Sequence, residues 1–260
     1  MKKNLLLERL NQIGTSLEKT DDALLLLGLG SVGNEIGRLD EYSDLDFFVI
    51  VKPTLKTRFI DQLDWLESVH PLAYSFKNTK DGYKILFDDG IYGEFAVFEE
   101  EEMGEILFSP GRIVWKDPSF NNLEIVSPLR EAPSVRQESL SFAINEALTN
   151  LYVGLCRYAR GEKLSAMKFI QNHALDNVLS VLHLIEKEVE YYPDIFGNER
   201  RLEKRFPGFA GMVGEMLQGY QRVSESALKI LDYLEAAYPL NQNMCKEIRR
   251  LAVICDQLEE

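Results

Sequence analysis

The chain is short of cysteine, histidine and positive charge, and each shortage excludes something. Cys156, Cys245 and Cys255 are an odd set with no Cys-x-x-Cys pair, which suits free thiols in a reducing compartment better than a disulfide framework. His70, His173 and His183 are scattered, and His173 and His183 are too far apart to share a helix face at ligand spacing. They read as surface or packing residues. With 29 basic against 42 acidic side chains the net charge is −13, so phosphate backbones and anionic membranes are repelled and a cationic small substrate is attracted. No window approaches the roughly 20 apolar residues of a membrane span. In the opening MKKNLLLERLNQIG, Glu8 and Arg9 interrupt the leucines, so no signal peptide is expected and the location is expected to be cytoplasmic.

What is present suffices for packed cores. Of 260 residues, 45% are hydrophobic, enough for one large domain or two small ones. The first half changes texture often. Leu6, Leu10, Ile13 and Leu17 recur at helical spacing, and Leu24 to Leu27, ending at Gly28, form a short buried strand. Leu45 to Val51 make a second strand, and a helix with Phe59, Leu63, Leu66 and Val69 inward precedes Pro71. Lys84 to Phe87 and Ile91 to Phe98 flank Asp88-Asp89-Gly90, a turn sequence that predicts an antiparallel hairpin. Arg112 to Trp115 supply a further strand, and the acidic run Glu99 to Glu102 reads as a solvated loop.

The second half keeps one texture. A two-proline stretch at 127–133 reads as a linker, dividing a domain at 1–130 from another at 131–260. Ser134 and Gln137 are placed to form a capping box for a long helix. Beyond them Leu148 and Tyr152, Val178 and Leu182, Ile230 and Leu234, and Ile248, Leu251 and Cys255 keep helical spacing. The fold class expected is α+β: a mixed-sheet domain followed by an all-helical bundle of four or five helices.

The chemistry is concentrated in GSVGNEIGRLDEYSDLDFFVIV, Gly30 to Val51. Asp44 and Asp46, two apart on a strand, project from one face. Paired carboxylates repel, and a divalent cation removes the conflict. Mg²⁺ takes oxygen ligands and is usually held by one or two carboxylates plus substrate phosphates. Gly30 and Ser31, at a strand end and the start of a short helix, offer amides and a hydroxyl to those phosphates. Glu94 lies mid-strand among Ile91, Phe95, Val97 and Phe98, where a charge needs a partner, either a ligand or a structural ion pair.

A Gly-Ser turn followed by an Asp-x-Asp strand resembles the signature of the polymerase beta nucleotidyltransferase superfamily. More narrowly, YSDLDFFVIV, GEFAVFEEEEM and IVWKDPSFNNLE resemble the bacterial lincosamide and aminoglycoside nucleotidyltransferases, which join a catalytic domain to a helical bundle. Asn34 and Glu35 stand where small or basic residues are common in that group. The resemblance implies Mg²⁺-dependent transfer of a nucleoside monophosphate, AMP from ATP by default, to a hydroxyl of a small molecule. Asp44 and Asp46 would bind the metal, Glu94 would serve as a third ligand or as the general base, and Gly30, Ser31 and Lys168 or Lys163 would face the nucleotide. The partners implied are the triphosphate and a small-molecule acceptor, with no nucleic acid and no membrane. Oligomeric state is open, a homodimer included. Two other readings compete: nucleotidylation of a partner protein, and a silent nucleotide-binding module.

Overall fold

In the computed structural model, which describes residues 2–258, two compact units divide the chain, Met1–Ala132 and Pro133–Glu260. The first is built on one mixed sheet. Its strands are β1 (Ala23–Gly28), β2 (Leu45–Val51), β3 (Leu72–Lys77), β4 (Gly82–Phe87), β5 (Tyr92–Glu99) and β6 (Arg112–Lys116). They lie in the order β3-β4-β5-β2-β1-β6. Only β2 and β5 run parallel; the other neighbours are antiparallel.

Strict alternation in the strands gives the sheet two different faces. Leu45, Phe47, Val49, Phe95, Val97, Ile85 and Phe87 point to one face, which α1 (Lys2–Glu18) covers with Leu6, Leu10, Ile13 and Leu17. Burying such a side chain contributes about 1.5–3 kcal/mol, so this core fixes which face each strand presents. On the other face Leu25, Leu27, Ile50 and Phe98 are capped by Met103, Phe108, Phe120 and Ile125 from the segments around β6. That cap ends at Phe48, whose ring meets Phe98 and Phe108 edge-on at 5.0 and 5.5 Å between centroids. Beyond Phe48 this face is open.

The structure of this unit departs from the sequence expectations at three places. The helix through Phe59 and Val69 is two pieces, α2 (Lys56–Asp61) and α3 (Asp64–Glu67), separated where Gln62 turns extended. The break lets both Phe59 and Trp65 enter the core, with Trp65 Nε1 donating to the Phe59 carbonyl and a bidentate Arg58–Asp64 pair spanning it. β3 was not anticipated. It is an edge strand, exposed along most of its length, and a bulge between Leu72 and Tyr74 breaks its alternation. The acidic run is no free loop: Glu100–Glu105 is a 3₁₀ turn, and Glu102 with Asp81 holds Lys56 at 2.5 and 2.6 Å. The predicted hairpin forms between β4 and β5, with Gly90 at φ +85° in its turn.

The second unit is helical throughout its regular structure, so the chain is α+β. Its helices are α4 (Leu140–Ala159), α5 (Lys163–Met167), α6 (Leu175–Ile185), α7 (Leu202–Arg205), α8 (Pro207–Met216), α9 (Val223–Ala237) and α10 (Gln242–Gln257). A π-helical turn, Lys168–Ala174, joins α5 to α6 without a break. The cap of α4 is Ser139, whose hydroxyl accepts from the Phe142 amide, not the expected Ser134. Ser134 instead folds onto Arg136, and the Gln137 amide donates to the Ser180 carbonyl, which keeps this stretch out of the helix. Leu148, Leu151, Leu155, Val178, Leu182, Ile230, Leu234 and Ile248 form its core. Among the described residues no helix is long and apolar enough to cross a membrane.

Candidate active site

Asp46 and Glu94 are register partners across the parallel β2–β5 ladder. Side chains at paired positions of neighbouring strands share a face, here the open one, because their neighbours Phe47 and Phe95 stack at 5.4 Å in the opposite core. Asp44 lies one residue before β2, two positions from Asp46. Both aspartates are exposed. They are presented by a tight turn in which the Asp40 carboxylate accepts from the Tyr42 amide at 2.9 Å and the Ser43 hydroxyl at 3.1 Å. Those bonds, the Tyr42 amide first, hold the Asp40 carboxyl below its usual range.

The Gly-Ser element joins the row from the other side. The Leu29 amide donates to the Asp46 carbonyl at 2.8 Å, which pins the end of β1 against the start of β2. Gly30 takes φ +50°, a conformation that favours glycine, and opens a single 3₁₀ turn, Gly30–Val32. One turn carries almost no helix dipole, so a grip on phosphate here would rest on the turn's own amides and on side-chain charge. The Val32, Gly33 and Glu35 amides are taken up by the Leu29 and Gly30 carbonyls. Ser31 is buried. Positive charge comes instead from two arginines that the sequence reading missed. Arg112 Nη2 donates to the Val32 carbonyl at 2.9 Å. Arg38, ion-paired with Glu35, lies so near Gly30 that a Cβ there would stand 2.9 Å from Nη2. Neither carries a local signal, since Arg112 reaches the turn only through the β1–β6 ladder, where it faces Gly28.

Glu94 is the side chain placed least as expected. It is 45% exposed rather than enclosed, accepts from Asn78 Nδ2 at 2.8 Å and faces Lys84 Nζ at 3.6 Å. Lys84 is on β4, on the far side of β5 from Asp46, so the carboxylate is drawn away from the aspartates. Among the described residues no three His, Cys, Asp or Glu side chains converge on a point that could hold a metal ion. The expected three-carboxylate cage is therefore an open row. The donor set still fits Mg²⁺, since Asp44 and Asp46 are exposed oxygen ligands with no nitrogen or sulfur among them, and that ion normally keeps waters and phosphate oxygens in its remaining positions. Lys168 belongs to the other unit, exposed at the start of the π-helical turn, and Lys163 Nζ sits 5.0 Å over the Tyr158 ring.

No family model matches the chain, and no curated protein matches its sequence. Several solved structures align with it. One is an aminoglycoside 6-adenyltransferase from Bacillus subtilis, 14% identical over 95% of this chain and 94% of that one, with a TM-score of 0.35. Another is a nucleotidyltransferase-like protein from Exiguobacterium sibiricum 255-15, 12% identical over 95% and 89%, also at 0.35. What the site can do follows from the register of β2 and β5, not from these alignments.

Proposed function

We propose that the protein is a cytoplasmic nucleotidyltransferase that moves a nucleoside monophosphate, AMP from ATP, onto a hydroxyl of a small molecule, with an aminoglycoside or lincosamide antibiotic as the acceptor class. The observation that carries this reading is the in-register Asp46–Glu94 pair on the open face, with Asp44 beside it and the Gly30–Ser31 turn fastened to the same strand end. Asp44 and Asp46 would hold Mg²⁺, which when bound offsets the charge of a triphosphate and of the departing pyrophosphate. The turn, backed by Arg38 and Arg112, would receive the phosphates. Glu94 would accept the proton of the acceptor hydroxyl, and Lys84, 3.6 Å away, would stabilise its charged form until the acceptor arrives.

The test incubates the protein with labelled ATP and MgCl₂ against panels of aminoglycosides and lincosamides and follows pyrophosphate release. Turnover that Asp46→Asn reduces by about a thousandfold supports the reading. A variant as active as wild type overturns the site. No turnover of either panel moves the reading to a protein acceptor or a silent module.

A further inference from the structure

The open face does not end at Glu94. Phe76 on β3 pairs with Lys84 on β4, Lys84 with Glu94 on β5, and Glu94 with Asp46 on β2, so these four side chains form one row across four strands. The next row holds Tyr74, Leu86 and Tyr92 in the same pairing. Tyr74 is 54% exposed, Phe76 52% and Tyr92 38%. Exposed aromatic side chains grouped on one sheet face offer ring faces to a ligand. Their place is informative too. The Gly30–Ser31 turn adjoins β2 on its β1 side, whereas Tyr92 on β5 and Tyr74 and Phe76 on β3 lie on the opposite side of β2. The carboxylate row separates the two.

We infer that this aromatic strip is the acceptor subsite, and that it takes the distal ring of an amino sugar of two or more rings whose reacting hydroxyl lies at Glu94. The inference rests on the reading of Asp46 and Glu94 given above. Two interstrand spacings, about 10 Å, separate Phe76 from Glu94, so a single ring at Glu94 cannot also cover Phe76, whereas a linked second ring can. The charge selects a cation. An anionic acceptor would meet Asp44, Asp46 and Glu94 on a protein of net charge −13, while ammonium groups of the reacting ring would find those carboxylates and the distal ring, carried past Lys84 on β4, would lay its apolar face on Tyr74 and Phe76. A nucleobase is the alternative occupant, and the position of the phosphate turn across the row argues against it.

Calorimetry without nucleotide tests the strip, using kanamycin as the charged multi-ring probe and maltotriose as its uncharged counterpart. Wild type should bind kanamycin and not maltotriose, and Tyr74→Ala/Phe76→Ala should weaken kanamycin at least about tenfold while MgATP affinity stays unchanged. Because both side chains are exposed, the variant should melt with wild type, and Phe76→Trp should keep the kanamycin affinity that Phe76→Ala loses. Unaltered kanamycin affinity in the double variant, or no kanamycin binding by wild type, overturns the inference. So does loss of MgATP binding in the double variant, which would give the strip to the nucleobase. A wild-type dimer in sedimentation that the double variant dissolves would assign the strip to self-association instead. The nucleotidyltransferase reading fails separately, on MgATP binding that ignores Asp46→Asn.

Discussion

Asp46 and Glu94 face each other across the only parallel pair of strands in the sheet, and the Glu94 carboxylate answers not to Asp46 but to Lys84 and Asn78. A hydroxyl or a cation arriving at the row would therefore have to compete with Lys84 for Glu94. Several expectations come from that geometry and from its supports.

Nucleotide binding should depend on a divalent cation. Asp44 and Asp46 repel a triphosphate unless a metal intervenes, so calorimetry with ATP in EDTA should show almost no heat of binding. In MgCl₂, ATP at about 100 times its Kd should add about 2.7 kcal/mol to the stability of wild type. Asp46→Asn should show no such rise in Tm. An equal rise in both proteins would remove the metal from this pair.

Glu94→Gln should separate binding from chemistry. The amide keeps the size and can still accept from Asn78, but it cannot take the hydroxyl proton, so turnover should fall by roughly 100 to 10,000 times with MgATP affinity little changed. Collapse of MgATP binding in the same variant would make Glu94 a metal ligand.

The two glycines of the phosphate turn should respond differently to alanine. At Gly30 the obstacles are a positive φ, worth about 1–2 kcal/mol, and the mobile end of Arg38. At Gly33 the new Cβ would lie 2.4 Å from the Gly28 carbonyl oxygen, which cannot move without shifting the end of β1. Thermal unfolding should therefore show Gly33→Ala as the more destabilised, by about 2 kcal/mol or more, and equal melting of the two variants would contradict this packing.

Acid should release the tie between α1 and the β4–β5 turn. Arg9, 3% exposed, donates to Asp89 at 2.7 Å and stacks 4.5 Å over the Phe87 ring. Burial pushes the Asp89 carboxyl up, but the bonds from Arg9 and the Ile91 amide outweigh it and leave the carboxyl below the usual range. A lowered folded-state value stabilises the fold above the ordinary aspartate range, near pH 4, and that contribution disappears as pH falls through the lowered value. Asp89→Asn should accordingly cost about 1–3 kcal/mol at pH 7, through the buried Arg9 left uncompensated, and the gap to wild type should narrow below pH 4. A gap that stays constant from pH 7 to pH 3 would place the interaction elsewhere.

The sequence by itself determined what depends on neighbours in the chain. Alternation from Leu45 to Val51 sets Asp46 opposite in direction to Phe47, Asp88-Asp89-Gly90 turns β4 into β5, and the heptad-like spacing of α9 and α10 makes the second half helical. Each rests on periodicity or turn chemistry that a few residues carry. Tertiary structure alone decided that β2 lies beside β5, that Lys84 and Asn78 meet Glu94, and that Arg112 braces the Gly-Ser turn. It also decided that the edge strand β3 exists and continues the Asp46–Glu94 row to Phe76. The physical reason is that register between strands distant in sequence is fixed by which faces the α1 core buries, and no local pattern records it. For the same reason the helix expected across Phe59 and Trp65 breaks at Gln62, where burying both rings outweighs a continuous run of backbone hydrogen bonds.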